Sequence, residues 1–312
     1  MEFSVEIRFA DMLDKTALDR IAAQGVTAIS ASFDFVESMP KEKLRECAAA
    51  LAARGIRVDT AHPRFGSYNS ANSLVNQYRV PRQLYLEQLK YGLERMSILG
   101  ARAAPLHTGG CCVPTAPQWA MELCAESLEV ILPAASGCGV ILALENTFFS
   151  VPQQWDDGLT SGGQPPEASA YVHDDINKLC ALIDRMASPY VKGCFDAGHA
   201  HYLGNLTGDH AVMGERIVLY HLHDNDRTRD LHLPPGYGTL DWEALGPLVL
   251  SNRAAHPAYI EAGPWMRGGY GLMTRQTEAL LRGGRRGESR RCLTCGQLIL
   301  TDDQSTFCGC EK

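Results

Sequence analysis

Residues 217–242 read IVLYHLHDNDRTRDLHLPPGYGTLDW, and six histidines and aspartates fall within twelve positions of this stretch: His221, His223, Asp224, Asp226, Asp230 and His232. The apolar run Ile217-Val218-Leu219-Tyr220 in front of them reads as a buried strand. Imidazoles and carboxylates leaving the end of a buried strand are the donor set of a divalent metal centre with open positions. The stretch predicts a metal site at one strand end, with further ligands converging on it from the ends of other strands.

Outward from it, short β-branched or apolar runs recur at 4–9, 26–33, 56–61, 103–107, 140–145, 191–196, 217–221 and 258–261. The segments 15–24, 41–54, 80–99, 118–137, 175–187, 242–251 and 272–281 carry apolar residues at three- and four-residue spacing, as helices covering a sheet do. Eight β-then-α units predict an α/β chain folded as a (β/α)8 TIM barrel, whose chemistry sits at the C-terminal ends of the strands. An open doubly wound sheet is the competing architecture, but no G-x-G-x-x-G follows the first strand to cradle a dinucleotide. Three longer connections, 63–76, 148–170 and 224–237, follow the third, fifth and seventh strands and are expected at the catalytic rim.

Composition narrows the class. With 312 residues and 45% hydrophobic residues the chain can bury one large core. No apolar run is long enough for a membrane span and the acidic N-terminus is unlike a signal peptide, so no membrane partner and a cytoplasmic location are expected. The net charge of −7 argues against a nucleic-acid partner, because phosphate binding is driven by Lys and Arg. Seven of the eleven cysteines, Cys47, Cys111, Cys112, Cys124, Cys138, Cys180 and Cys194, are scattered through apolar or helical surroundings and read as reduced thiols.

The other four cysteines close the chain. After a Gly/Arg-rich linker at 283–291, the pairs Cys292/Cys295 and Cys308/Cys310 stand twelve residues apart, the spacing of a four-thiolate structural zinc site. The expected organisation is thus a barrel over 1–282, the linker, and a small zinc-binding appendage, a zinc knuckle, over 292–312.

With strands so placed, His62, His107, Glu145, Asp196 with His199, His221 and Glu261 fall at or just past their C-terminal ends. Singly, each has a plain structural use: His62 or His107 as a hydrogen-bonded rim histidine, Asp196 as a helix cap. Glu145 and Glu261 follow fully apolar runs and are costly there without a cation or a proton. Together the motifs ALEN, FDAGH, HLHDND followed by D-x-H-x-x-P-G-x-G-x-x-D-W, and YIE resemble the xylose-isomerase-like barrel superfamily, which includes sugar-phosphate isomerases and epimerases and the endonuclease IV group of AP endonucleases. The resemblance covers the barrel and not the cysteine tail.

Within that superfamily, resemblance to the ketose 3-epimerases implies one divalent ion (Mn2+, Zn2+, Co2+ or Mg2+) held by Glu145, Asp196, His221 and Glu261, with His199 and Arg227 holding the substrate. The reaction implied is isomerisation or epimerisation of a small sugar-like ketose, by proton transfer through a metal-stabilised enediolate, with Glu145 and Glu261 as the two bases. A homo-oligomer formed through the outer helices is compatible with this reading. Resemblance to the endonuclease IV group implies instead a multi-zinc phosphodiesterase acting on abasic or damaged DNA, with His62, His107, His199, Asp230 and His232 as additional metal residues. A third reading, a non-catalytic barrel that binds a partner through its zinc knuckle, predicts dispensable Glu145 and Glu261. His223 with Arg229 repeats the spacing of His221 with Arg227 and competes with His221 for the strand-end ligand position. Asp241 and Trp242 are expected to fix the loop carrying His232, Phe148, Phe149 and Trp155 to wall the substrate, and Arg64 to reach a substrate phosphate.

Overall fold

A computed structural model describes residues 1–64, 72–109, 117–147, 175–228, 230–252, 257–262 and 269–284, together with the backbone of 289–291, 298–301 and 306–307. Eight parallel strands close in chain order: β1 (Phe3–Glu6), β2 (Ala28–Ala31), β3 (Arg57–Ala61), β4 (Ala103–Leu106), β5 (Ile141–Glu145), β6 (Val191–Asp196), β7 (Ile217–Leu222) and β8 (Ala258–Ile260). β8 returns to β1 with Ser4 opposite Tyr259, which completes a TIM barrel. The covering helices are α1 (Lys15–Ala23), α2 (Phe33–Ser38), α3 (Lys41–Ala52), α4 (Arg79–Leu99), α5 (Pro117–Cys138), α6 (Ile176–Met186), α7 (Ala197–Leu203), α8 (Leu206–Met213), α9 (Trp242–Ser251) and α10 (Tyr270–Leu281).

The differences from the expected elements have local causes. β1 stops at Glu6 rather than running to residue 9, because Arg8 turns back to hold Asp11 at 2.7 and 2.8 Å. β2 ends at Ala31, and Phe33 opens α2, where its ring fills the space beside Gly92 that a side chain would occupy. Helices α7 and α8 were not foreseen; α7 starts because the Asp196 carboxylate accepts from the His199 N–H at 2.7 Å. Asp14, Asp175 and Asp241 cap α1, α6 and α9 in the same way.

Two apolar volumes result. The large one lies between strands and helices, while Ala143, Cys194 and Leu219 form a separate small cluster. Register puts Cys194 opposite Leu219 and Glu145 opposite Cys194, so this cluster is the barrel interior directly beneath the C-terminal ends of β5–β7. Cys47, Cys124, Cys138, Cys180 and Cys194 are free thiols. Among the described residues no helix is long and apolar enough to cross a membrane.

At the C-terminal end of the chain, β9 (Ser289–Arg291), β10 (Leu298–Thr301) and β11 (Thr306–Phe307) form an antiparallel sheet in the order β11-β10-β9. The last three residues of the expected linker are therefore strand. Cys292, Cys295, Cys308 and Cys310 lie outside the described residues, as do Cys111, Cys112, Phe148, Phe149, Trp155, Arg229 and the connection 148–170.

Candidate metal centre

The strand ends deliver their polar groups to one place. Ligand atoms of Glu145, Asp196, His221 and Glu261, from β5, β6, β7 and the residue after β8, lie within 4.8 Å of one another. His62 forms a similar group with Glu145 and His221, and His199, His223, Asp230 and His232 form another. Glu145 is the hub. Its Oε2 is 3.3 Å from Nε2 of both His62 and His107, and its Oε1 is 3.2 Å from His221 Nδ1 and 3.5 Å from His199 Nδ1. His221 Nδ1 also lies 3.0 Å from Glu261 and 3.7 Å from Asp196, while His223 Nε2 lies 3.1 Å from the other Asp196 oxygen.

His223 therefore does not compete with His221. Side chains alternate along a strand, so residues two apart leave β7 on the same side, and each reaches a different ligand group. Period-two spacing in YHLHD was the available signal. Gly198 makes room: a Cβ there would stand 2.0 Å from His223 Cε1. The His223 ring then stacks on His232, with centroids 4.1 Å apart and planes 7° apart.

Backbone carbonyls orient three of the rings. Nδ1 of His62 meets Pro63 O at 2.8 Å, Nδ1 of His199 meets Asn146 O at 2.9 Å, and Nδ1 of His232 meets Glu261 O at 2.9 Å. With Nδ1–H donating, each Nε2 faces a carboxylate: Glu145 for His62, Asp230 for His199 and His232. This is the outer bonding that fixes tautomer and direction in metal-binding histidines. Asn146 also ties β5 to β6, donating to Asp196 O and accepting from Asp196 N at 2.9 and 2.8 Å. Asp196 thus both caps α7 and faces the cluster.

The fit to a divalent cation rests on atoms left over. Glu145 Oε2, His223 Nδ1 and Asp230 Oδ1 are buried without a hydrogen-bond partner, and such atoms are costly unless something else satisfies them. One or more ions among Glu145, Asp196, His221 and Glu261, and among His199, His223, Asp230 and His232, would do so. A donor set this rich in imidazole suits Mn2+, Co2+ or Zn2+ better than Mg2+.

Without a cation, protons fill the role. Burial opposes a charge on His199, but Asp196, Asp230 and Glu145 outweigh it and lift its pKa to about 10. Burial is likewise overcome at His232, where Asp230 and Glu261 raise the pKa to about 9. Burial alone would raise Glu145, Glu261 and Asp230, yet the surrounding imidazoles hold all three below the usual carboxylate range. His107 goes the other way, lowered by burial despite Glu145. Metal binding must displace the histidine protons. Full loading at pH 7 is expected to release about two or more protons, measurable by titration calorimetry in buffers of different ionisation enthalpy; release of none would show that His199 and His232 do not bind the ion. Because their folded pKa values are raised, the metal-free protein has this stabilisation in full below pH 6.5 and loses it as pH climbs through about 9 and 10.

The loop 224–237 is held by Asp224, not lined by it. Its Oδ1 accepts from the N–H of Asn225 and Leu240 at 2.9 and 3.0 Å, and its Oδ2 from Gly236 N–H and Trp242 Nε1 at 3.0 and 2.8 Å. Asp226 closes its own turn on Thr228. Gly238 packs so closely that a Cβ would meet Asp224 Oδ1 at 2.2 Å. Arg227, exposed and at φ 66°, lies against Gly204 at the end of α7, outside the ligand groups. Arg64 is held by Asp34 and by Glu37 at 3.3 Å, so its guanidinium is committed to α2.

The sequence reading missed Glu6. It ends β1 and is exposed, while Ser4, Val5 and Ile7 around it are buried; Tyr259 Oη donates to its Oε2 at 3.2 Å. The Tyr259 ring meets His221 edge-on, with centroids 5.1 Å apart.

The family model described as "Xylose isomerase-like TIM barrel" matches residues 18–266. The chain belongs to the xylose isomerase-like TIM barrel family. Solved barrels of this shape include 3-keto-D-glucoside 4-epimerase from E. coli, 16% identical with a TM-score of 0.68 over 91% of this chain and 99% of that one. D-psicose 3-epimerase from Clostridium cellulolyticum, solved with D-tagatose, is 14% identical with a TM-score of 0.62 over 91% and 98%. A protein from Thermus thermophilus soaked with ZnCl2 is 22% identical with a TM-score of 0.61 over 91% and 100%. At these identities the likeness is one of fold. Among curated proteins, y4fM of Sinorhizobium fredii (strain NBRC 101917 / NGR234) is 32% identical over 95 residues, a match spanning 30% of each chain.

Proposed function

We propose that this member of the xylose isomerase-like family is a divalent-metal-dependent isomerase or epimerase of a small sugar-like ketose. The observation that carries it is the group Glu145, Asp196, His221 and Glu261, contributed by four consecutive strands, with a glutamate at each outer end. A bound Mn2+, Co2+ or Zn2+ would acidify a C–H beside the substrate carbonyl and stabilise the enediolate that forms. Glu145 and Glu261 are then the two bases: one takes the proton from carbon, and the other returns a proton to the opposite face. Their low proton affinity beside His221 keeps both ionised in the resting protein at neutral pH: one is ready to accept the proton from carbon, and the other delivers a proton only after taking it up from solvent. His199, oriented by Asn146, and Arg227, on the loop after β7, hold the substrate oxygens. The 3-keto-D-glucoside 4-epimerase and D-psicose 3-epimerase of the same fold have activities that agree with this chemistry.

A second reading has its own observation. The group His199, His223, Asp230 and His232 beside the first, with His62 and His107 on Glu145, provides for more than one ion and suits a multi-zinc phosphodiesterase acting on abasic DNA. For the tail we propose a structural zinc held by Cys292, Cys295, Cys308 and Cys310, with the barrel over 1–282 as a separate unit; by sequence, one cysteine pair follows β9 and the other β11.

Metal analysis of the full chain and of a chain ending at Gly284 separates these readings. One exchangeable Mn2+ or Co2+ left in the shortened chain, with deuterium from solvent entering a ketose, is the expected result. Two or three tightly held zinc ions, with cleavage of an abasic duplex and no exchange into any ketose, would overturn the isomerase reading in favour of the second. Loss of no zinc on shortening would remove the knuckle.

A further inference from the structure

Glu6 is a carboxylate at the mouth of the barrel that no ligand group includes. Its direction follows from register. Ser4 stands opposite Tyr259, so Glu6, two residues on, leaves β1 on the same side as Glu261 leaves the end of β8. Tyr259 confirms the side, since it gives its hydroxyl to Glu6 and lays its ring against His221. One oxygen of Glu6 is therefore occupied by Tyr259, and the exposed remainder of the carboxylate faces the mouth.

Such a group has few structural reasons to be there. Its neighbours in β1 are buried and apolar or hydroxylic, and Glu261 sets like charge beside it, opposed in part by His62 and His232. The arginines that follow the nearby strands are committed elsewhere: Arg8 is paired with Asp11, and Arg64 with Asp34 and Glu37. A carboxylate in that setting accepts strongly from hydroxyl groups and repels a phosphate or carboxylate brought close to it.

Resting on the isomerase or epimerase reading, we propose that Glu6 is a substrate-binding residue that accepts hydrogen bonds from sugar hydroxyls at the barrel mouth and so selects neutral, unphosphorylated polyol-like ketoses.

The test uses full-length, Mn2+-loaded protein and two probes without a carbonyl, D-sorbitol and D-sorbitol 6-phosphate, read by titration calorimetry. Wild type is expected to bind D-sorbitol at least about tenfold more tightly than its phosphate, and Glu6→Gln to weaken D-sorbitol about tenfold and erase the preference. Glu6→Asp keeps the charge and should keep discrimination against the phosphate while weakening D-sorbitol; it serves if the glutamine variant does not fold. Wild type favouring the phosphate, or Glu6→Gln binding both probes as wild type does, overturns the proposal. So does loss of barrel metal in Glu6→Gln, which would make Glu6 a ligand. Turnover of D-fructose by the same wild-type sample is scored separately: its absence with D-sorbitol binding intact counts against the reaction and not against Glu6.

Discussion

Glu145→Gln should lower ketose turnover by about 10³-fold or more and strip the barrel of its most tightly held ion. The amide has nearly the same shape, so the substitution isolates charge. Four histidines surround the carboxylate within 3.5 Å. Removing its charge takes a ligand from the ion, a base from the reaction, and a partner that raises the pKa of His62 and His221 in the metal-free protein. The measurement is paired: metal content by elemental analysis, and deuterium incorporation from solvent into a ketose. Glu261→Gln supplies the contrast, because Glu261 approaches His221 at 3.0 Å and His232 only at 4.0 Å; it should cost turnover similarly but metal affinity less. If either variant keeps wild-type exchange, the two-base mechanism is wrong.

The barrel was legible because buried parallel strands are continuous apolar runs, and eight of them, spaced by amphipathic segments, admit few architectures. What the runs did not fix was where a strand stops. In FSVEIRFA the alternation continues past Glu6, so reading β1 to residue 9 hid an acid at a strand end as one in mid-strand. The turn that ends β1 depends on Arg8 and Asp11 finding one another, which no periodicity encodes. Helix α7, AGHAHYL, has no apolar period and exists because Asp196 caps it and Gly204 ends it at φ 84°.

The candidate site shows the same division. Residue type and strand-end position drew His62, His107, Glu145, Asp196, His199, His221 and Glu261 into one view, family resemblance added Asp230 and His232, and the fold brings them together. Sequence spacing could not say which acids in HDNDRTRD face the cluster. Asp224 and Asp226 are of the same type as Asp230 and nearer to β7, yet four N–H groups claim the first and Thr228 the second. Donor satisfaction, a tertiary property, separates them.

Asp224 accordingly carries the second large prediction. Asp224→Asn is expected to destabilise the protein by about 3 kcal/mol, since Asp224 is fully buried, an amide nitrogen cannot accept, and two of its four donors lose their partner. For a chain of this size that corresponds to a fall in melting temperature of roughly 5 °C. The same carboxylate ties β7 to Gly236, Leu240 and Trp242, and its backbone pairs with Leu233 in both directions at 2.8 Å, so the segment carrying Asp230 and His232 is fastened at this point. Loosening it moves two of the four residues of the group His199, His223, Asp230 and His232, while Glu145, Asp196, His221 and Glu261 keep their places on the strands. The variant should therefore lose whatever metal the second group holds and retain that of the first, visible as a drop in Co2+ stoichiometry without loss of the tightest site. Trp242→Phe removes only the indole donor, leaves three of the four bonds, and should cost about 1 kcal/mol. Equal destabilisation by the two substitutions would show that aromatic packing, and not the aspartate, holds the loop; an unchanged melting temperature in Asp224→Asn would remove it as the fastening point altogether.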